Sequence, residues 1–189
     1  MKQFAKQLVV TSLALAIVPL TNVYAHDDDD DDDDDGMEAR EFEAEMVQVN
    51  SSGVYADVEM KLIDGKTLVV EIEASGLEPG KPHPQHIHGF NKPVSASACP
   101  TAENDTDGDG IITIGEGVPA FGPILLPLVP FNLVDNAGNL DYKATFTINP
   151  GDLQPLHKCT VVLHGMTVNG AYIPSLPIAC GQLVEEVDD

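Results

Sequence analysis

Residues 55–75, YADVEMKLIDGKTLVVEIEAS, decide the fold class of this protein. Apolar and polar side chains alternate on both sides of the dipeptide Asp64-Gly65, in residues 56–62 and again in residues 68–74. A period of two is typical of a half-buried strand, and Asp-Gly between two such runs is the strongest short-range signal of a β-hairpin. The stretch therefore predicts two antiparallel strands joined by a tight turn.

Further β-type runs lie on both sides of this hairpin. Residues 41–46 and residues 142–148 show the same alternation, and the second run stops at Asn149-Pro150-Gly151. Residues 159–164 and 178–184 are short β-type runs, and no segment from residue 26 onward shows a convincing helical period of 3.6 residues. Several short strands with turn residues between them predict an all-β fold, a Greek-key barrel or sandwich.

The composition narrows the choice of partners. The 189 residues include 9 Lys and Arg against 31 Asp and Glu, which gives a formal net charge of −22 at pH 7. Because nucleic acid and anionic membrane surfaces repel such a chain, neither is an expected partner. With 43% apolar residues, 16 Gly and 14 Pro, the composition fits a single turn-rich domain.

Residues 1–25 have the organisation of a secretory signal peptide. Lys2 and Lys6 precede an apolar run at residues 8–20, and Val23-Tyr24-Ala25 suits cleavage by signal peptidase. No second apolar stretch is long enough to span a membrane. We therefore expect a cleaved, exported chain that is periplasmic or extracellular and has no transmembrane span.

The predicted mature chain begins at His26 and continues with nine consecutive aspartates at residues 27–35. These carboxylates repel one another and have nothing to bury, so residues 26–39 are expected to form a solvated acidic tail. A weak collector of divalent cations beside His26 is the alternative to a simple solubility device. Residues 40–186 are the predicted folded domain.

Export has a consequence for the three cysteines, Cys99, Cys159 and Cys180. In an oxidising compartment a long-range disulfide is expected, and an odd thiol is left over. The residues alone leave all three pairings open.

The densest group of metal-ligand residues is His83-Pro84-Gln85-His86-Ile87-His88. In an extended chain, side chains i and i+2 project from the same face, so His86 and His88 can bind one metal ion while Ile87 points into the core. His164 ends another predicted strand and can supply a third imidazole, a set that suits copper or zinc and leaves a coordination position open. Two surface histidines on a strand are the alternative interpretation.

Residues 105–116, DTDGDGIITIGE, match a calcium loop of EF-hand type. Oxygen ligands occupy loop positions one, three, five and twelve, with glycine at six and an apolar residue at eight. The predicted ligands are the carboxylates of Asp105, Asp107, Asp109 and Glu116, the backbone carbonyl of Ile111, and a water-mediated contact from Thr113. An acidic surface turn is the alternative.

The flanks of this loop indicate a single structural loop. Pro100 before it and Gly117-Val118-Pro119 after it exclude the usual long flanking helices. Residues 121–128, FGPILLPL, are apolar and punctuated by proline, and we expect them to form a packed loop over the barrel. A patch that binds a partner is the alternative for this segment.

The ordered combination of these motifs resembles the copper/zinc superoxide dismutase family over residues 40–184. The resemblance implies a Greek-key barrel with copper held on its outer wall by His86, His88 and His164, and with His83 supporting the site without binding the metal. It also implies a disulfide between Cys99 and Cys180. The matching motifs are Gly76-Leu77, Gly80, His83-x-x-His86-x-His88, Cys99, Val161-Val162-Leu163-His164 and Ile178-Ala179-Cys180-Gly181.

The chain departs from the family pattern at the zinc site and at the catalytic arginine. Residues 100–156 contain no histidine, so the bridging and zinc ligands are missing. Pro177 precedes the Ile-Ala-Cys-Gly motif where the family has its arginine, and residues 165–179 contain no Lys or Arg. The pattern is therefore similar to the copper-only members of the family. Proteins with a CHRD domain, which also carry a His-Ile-His-Gly motif, are the second resemblance.

Together these features predict an exported copper-binding protein in which a calcium loop takes the place of the zinc subsite. Turnover of superoxide is one hypothesis, although the missing arginine and bridging histidine argue against efficient dismutation. The alternative is a non-catalytic protein, either for copper storage or transfer or a calcium-stabilised β binding module of CHRD type.

Overall fold

The structure, a computed structural model, describes residues 39–149, 151–153 and 155–187. The predicted signal peptide and all but the last residue of the predicted acidic tail lie outside the described residues. Within the described ranges, no helix has the length and apolar character needed to cross a membrane.

The described chain is built mainly from antiparallel strands, with one short α-helix and two 3-10 turns at Ala102–Asn104 and Leu156–Lys158. In chain order the elements are β1 Ala39–Gln48, β2 Tyr55–Ile63, β3 Thr67–Ser75, β4 Gln85–His88, β5 Phe90–Asn91, β6 Val94–Ser95, α1 Ile114–Phe121, β7 Ile124–Pro127, β8 Leu140–Thr147, β9 Thr160–Val168, β10 Ala171–Gln182 and β11 Val184–Glu185.

The main sheet has the strand order β7-β4-β9-β10-β1-β2-β3-β8, with β11 also paired to β1. The chain leaves β3 for β4 in the other half of the sheet, returns from β7 to β8 beside β3, and crosses again to β9 beside β4. These are Greek-key connections, and they confirm the all-β fold class. Strands β1 and β10 join the two halves through only a short register at Val47↔Cys180 and Gln48↔Ala179.

The hairpin that decided the fold class is formed by β2 and β3. Its register runs from Tyr55↔Ser75 to Ile63↔Thr67, and the Lys66 N–H donates to the Ile63 carbonyl across the turn. Both central residues, Asp64 and Gly65, have positive φ, the backbone conformation that Asp-Gly favours. The alternating apolar residues of both strands are buried, with Leu68, Val70 and Ile72 fully inaccessible.

Two segments between residues 113 and 128 differ from the sequence expectation. Residues 114–121 form a short helix, because the Thr113 and Glu116 side chains close a capping box at its start and Phe121 is fully buried at its end. Residues 124–127 are not a packed loop. They form β7, an edge strand that pairs with β4, so that expectation was wrong for this part of the segment.

A second, smaller core lies on the outer face of β9 and β10. It is formed where the segment after Cys99 folds back over these strands, and it includes Val49, Ile112, Phe121, Val162 and Cys180. A disulfide between Cys99 and Cys180, 81 residues apart, ties this segment to the sheet, and it is the pairing that the family resemblance implied. On the chain-entropy model such a bridge contributes about 4.5 kcal/mol.

Cys159 is the free cysteine of the described chain. Its side chain is buried beneath the start of β9, and burial raises the pKa of its thiol to about 11. The thiol therefore stays protonated and unreactive at neutral pH.

Candidate metal centre

The pairing of β4 with β9 brings three histidines together. The register Gln85↔Leu163 and His86↔Val162, with the His164 N–H donating to the Pro84 carbonyl at 2.8 Å, makes His86 and His164 diagonal neighbours. The ring centroids of His86 and His164 are 5.0 Å apart, and each lies 5.6 Å from that of His88. Ile87 points the other way and is fully buried in the main core.

Each of the three rings directs one unpartnered nitrogen into the space between them. His86 Nδ1, His88 Nε2 and His164 Nε2 are inaccessible to solvent and make no hydrogen bond. One ligand atom from each histidine lies within 4.8 Å of those of the other two. Buried polar atoms without a partner are uncommon and costly, so three of them at one point are best explained by a shared ligand. Neutral imidazole nitrogens are common metal ligands, so these three histidines could hold a metal ion.

Backbone carbonyls hold two of the rings in place. The Gly122 carbonyl lies 2.9 Å from His88 Nδ1, and the Ser175 carbonyl lies 3.0 Å from His164 Nδ1. Because a carbonyl only accepts, each Nδ1 carries the proton, and the lone pair of Nε2 faces the site. A hydrogen bond of this kind commonly orients a histidine that binds a metal ion.

His83 lies beside the three-histidine group and does not belong to it. Its ring is buried, with Nδ1 at 3.1 Å from the His164 carbonyl and Nε2 at 3.2 Å from the Glu78 carbonyl. The Tyr172 ring stands edge-on to it at 6.0 Å. His83 therefore connects the backbone of a metal-site strand to the loop before β4.

Burial keeps the three imidazoles neutral. Burial lowers the pKa of His86 to about 4, with the nearby His88 adding to the effect. Burial likewise lowers the pKa of His164 to about 3, assisted by His86 and His88. The pKa of His88 is also lowered by burial, against the opposing effect of its bond to Gly122. Protons therefore compete weakly with a metal ion for these nitrogens.

Two phenylalanines stand against the site. The Phe121 ring packs against His88 with its centroid at 4.6 Å, and the Phe131 ring stands perpendicular to His86 at 5.6 Å. Neither residue, nor the carbonyls of Gly122 and Ser175, was found from the sequence. A backbone carbonyl has no sequence signal, and the two phenylalanines reach the histidines only through the tertiary fold.

The acidic loop is only partly assembled as predicted. The carboxylates of Asp105, Asp107 and Asp109 converge, each with an oxygen within 4.8 Å of the others, and Glu116 is not part of that group. Both Glu116 oxygens instead accept hydrogen bonds from the backbone N–H and hydroxyl groups of Thr106 and Thr113.

Hydrogen bonds organise this loop from within and join it to the sheet. The Asp105 carboxylate accepts from the Gly108 N–H at 2.9 Å and the Gly110 N–H at 2.8 Å. Bonds from Thr113 and Thr106 lower the pKa of Glu116 to about 2. The Asn50 amide donates to the carbonyls of Ile112 and Pro177 and accepts from the Ile112 N–H. Because Pro177 pairs with His164 in the sheet, the loop is connected to a metal-site strand.

Comparison with known proteins identifies no family. No family model matches the chain, and no curated protein matches it. Among solved structures, superoxide dismutase 5 of Candida albicans in a Cu(II) form is similar, with 13% identity, a TM-score of 0.40, and coverage of 77% of this chain and 92% of that one. A superoxide dismutase-like protein from Bacillus subtilis has 17% identity, a TM-score of 0.43, and coverage of 75% and 97%. With TM-scores below 0.5, these likenesses add nothing to the geometry of the three histidines.

The low pKa values predict an acid-sensitive metal-free protein. In the unfolded chain a histidine takes up its proton near its model value of 6.5, whereas folded His86 does so only at about 4. Unfolding therefore takes up protons below about pH 6.5, and we expect the free energy of unfolding to fall as the pH falls from 7 to 5. Urea unfolding of the metal-free protein at several pH values in this range measures the slope of the free energy of unfolding against pH.

Two variants separate this effect from other titrations. His86→Gln should flatten the slope because it removes one of the buried rings. His157→Gln, which alters a histidine outside the three-histidine group with 45% of its side chain exposed, should change the slope less than His86→Gln does. A slope that is identical in His86→Gln and the unmodified chain would contradict the prediction.

Proposed function

We propose that this chain is an exported copper-binding protein with a superoxide dismutase-like fold, and that His86, His88 and His164 hold one copper ion. The observation that supports this proposal is the convergence of three buried ring nitrogens that have no hydrogen-bond partner. The disulfide between Cys99 and Cys180 is consistent with export, because such bonds persist in oxidising compartments.

Copper is the metal that the donor set fits best. Imidazole nitrogens suit copper and zinc, and Cu²⁺ binds a given nitrogen site more tightly than the other divalent first-row ions. Three protein ligands leave a coordination position open, which a purely structural zinc site would fill. A bound copper ion would supply one-electron chemistry by cycling between Cu(II) and Cu(I).

Superoxide dismutation is the catalytic function that the resemblance favours, and the charges of this chain oppose it. On the outer face of the β1-β2-β3-β8 half-sheet, carboxylates lie opposite one another on neighbouring strands, as in Glu45↔Asp57, Asp57↔Glu73 and Glu73↔Asp141. A strongly negative protein repels a superoxide anion. Copper storage or transfer without catalysis is the second candidate, and this negative field favours it.

We assign calcium to residues 105–116, as the ion that orders the segment between Cys99 and α1. Three carboxylates already converge there, the Gly110 N–H donates to the carboxylate at loop position one, and α1 starts at loop position ten. Coordination by Glu116 would require its carboxylate to exchange its hydrogen bonds with Thr106 and Thr113 for the ion. The alternative is a calcium-stabilised β binding module without copper, as the CHRD resemblance would suggest.

Copper stoichiometry tests the first assignment. In the chain lacking residues 26–35, alanine at His86, His88 or His164 should each abolish binding of one copper per chain, measured by metal analysis after dialysis against a weak chelator. His83→Ala should keep the stoichiometry and weaken affinity roughly ten- to a hundredfold, the usual effect of losing a supporting contact. His157→Ala is the control and should change nothing. Copper retained by all three ligand variants would contradict the site.

Superoxide turnover distinguishes the two candidate functions. If the copper-loaded chain is a dismutase, its rate should rise with ionic strength, because salt screens the repulsion between superoxide and the acidic protein. The activity should disappear in the His86→Ala, His164→Ala double variant. The measurement is the second-order decay of superoxide at several salt concentrations. An absence of copper-dependent decay at every salt concentration would favour storage or transfer.

Calcium removal tests the loop. A ligand that binds only the ordered state stabilises it by about 2.7 kcal/mol at a hundredfold excess over its dissociation constant. We therefore expect a calcium chelator to lower the melting temperature and to weaken copper binding, because α1 links the loop to His88 through Phe121.

Variants near the loop make this test specific. Glu116→Gln should reproduce the effect of chelation, whereas Glu103→Gln, which removes an equal charge from an exposed residue before the loop, should not. Melting and copper affinity that are the same with and without calcium would show that the loop is an acidic turn.

A further inference from the structure

The three proposed ligands are not equivalent in their surroundings. His88 and His164 are each only 1% exposed, whereas His86 is partly exposed. His86 is therefore the ligand of the three whose ring solvent reaches best.

The ligands also differ in how their second ring nitrogen is held. The Nδ1 atoms of His88 and His164 are bound to the carbonyls of Gly122 and Ser175. No described residue forms a hydrogen bond with either nitrogen of His86. Rotation of the His86 ring away from the site would therefore break no hydrogen bond within the described chain, whereas the same motion of the other two rings would break one each.

What holds the His86 ring is an aromatic contact. The Phe131 ring stands at an interplanar angle of 89° to it, with 5.6 Å between the centroids. Phe131 belongs to the connection between β7 and β8, where its neighbours Pro130 and Asn132 are exposed. The segment is fixed at both ends: the Leu128 N–H donates to the Gln85 carbonyl, and the isolated bridge Pro82↔Leu133 joins it to the loop before β4. Between these two points, residues 129–132 make no backbone–backbone hydrogen bond within the described chain, so the cover on His86 belongs to a short stretch that is fixed only at its ends.

We propose that His86 is the ligand through which copper is exchanged, and that Phe131 is the cover that sets the rate of exchange. This inference rests on the proposed copper site. His88 and His164, oriented by backbone carbonyls, keep the metal in place while His86 Nδ1 detaches and an incoming chelator takes its position. In release, the bond to His86 is replaced first by a bond to the chelator, the bonds to His88 and His164 are replaced after it, and the oxidation state of copper does not change; uptake reverses this order.

A cover of this kind has a kinetic signature. Phe131 contacts the ring of His86 but offers no metal ligand, so it raises the barrier for entry and exit equally and leaves the equilibrium unchanged. A residue that merely stabilises the assembled site would instead slow release alone and tighten binding. The ratio of the two rate changes therefore separates a cover from a packing residue.

The experiment uses the full chain loaded with one equivalent of Cu(II). Release into excess EDTA and uptake of free Cu(II) are followed by stopped-flow absorbance, and copper held elsewhere on the chain is measured in a His88→Ala, His164→Ala double variant and subtracted. Phe131→Ala should accelerate both release and uptake about tenfold. This factor corresponds to lowering the activation barrier by the energy of one aromatic contact. The dissociation constant and the electron paramagnetic resonance spectrum of the bound Cu(II) should stay unchanged.

Two further variants complete the test. Phe131→Leu keeps an apolar cover and should give a smaller acceleration of both rates. Leu133→Ala removes a side chain that is 69% exposed in the same segment and should change neither rate. Unchanged rates in Phe131→Ala, or faster release with a proportionally weaker affinity, would overturn the inference while leaving the copper site intact. Failure of the unmodified chain to bind copper at the three histidines would instead overturn the proposed function, and this inference with it.

Discussion

The register between β4 and β9 is the constraint on which the metal centre depends. Because side chains alternate along a strand, a slip of one residue would turn His86 and His88 into the core and Ile87 outward. The inward residues of both strands, Ile87, Val161 and Leu163, are fully buried, so the hydrophobic core stabilises this register. The same pairing that buries the apolar side chains therefore presents the three imidazoles together on the outer face.

The outer face would be exposed to water without the segment that follows Cys99. The disulfide joins this segment to β10, the Asn50 amide joins it to Ile112, and Phe121 closes it over Val162. The end of α1 also supplies the Gly122 carbonyl that orients His88. The same segment thus shields the outer face of the sheet from water and orients His88. The stability of this covering segment and the geometry of the candidate metal centre are therefore linked.

Local patterns predicted the parts of this molecule that local physics determines. The period of two, together with Asp64-Gly65, predicted the β2-β3 hairpin. The alternation of side chains along one strand predicted that His86 and His88 share a face. His164 was a candidate third ligand from its residue type and its place at a strand end, but the pairing of β4 with β9 was not predicted, because it joins residues as far apart in the chain as Gln85 and Leu163. Helix α1 was missed because eight residues containing Gly115, Gly117 and Pro119 have poor helix propensity, and its capping box and buried Phe121 override that propensity.

If the three histidines hold a metal ion, as we propose, their unpartnered nitrogens mark the part of the fold that depends on it. Three buried ring nitrogens without hydrogen bonds destabilise the folded chain, and binding an ion would remove that cost. The β2-β3 hairpin, the main core and the disulfide involve none of these atoms, so they hold the sheet together before any ion arrives. Metal binding would therefore act chiefly on the site and its cover. His88 and His164 are already oriented by carbonyls, so His86 would be the ligand left for the metal to order.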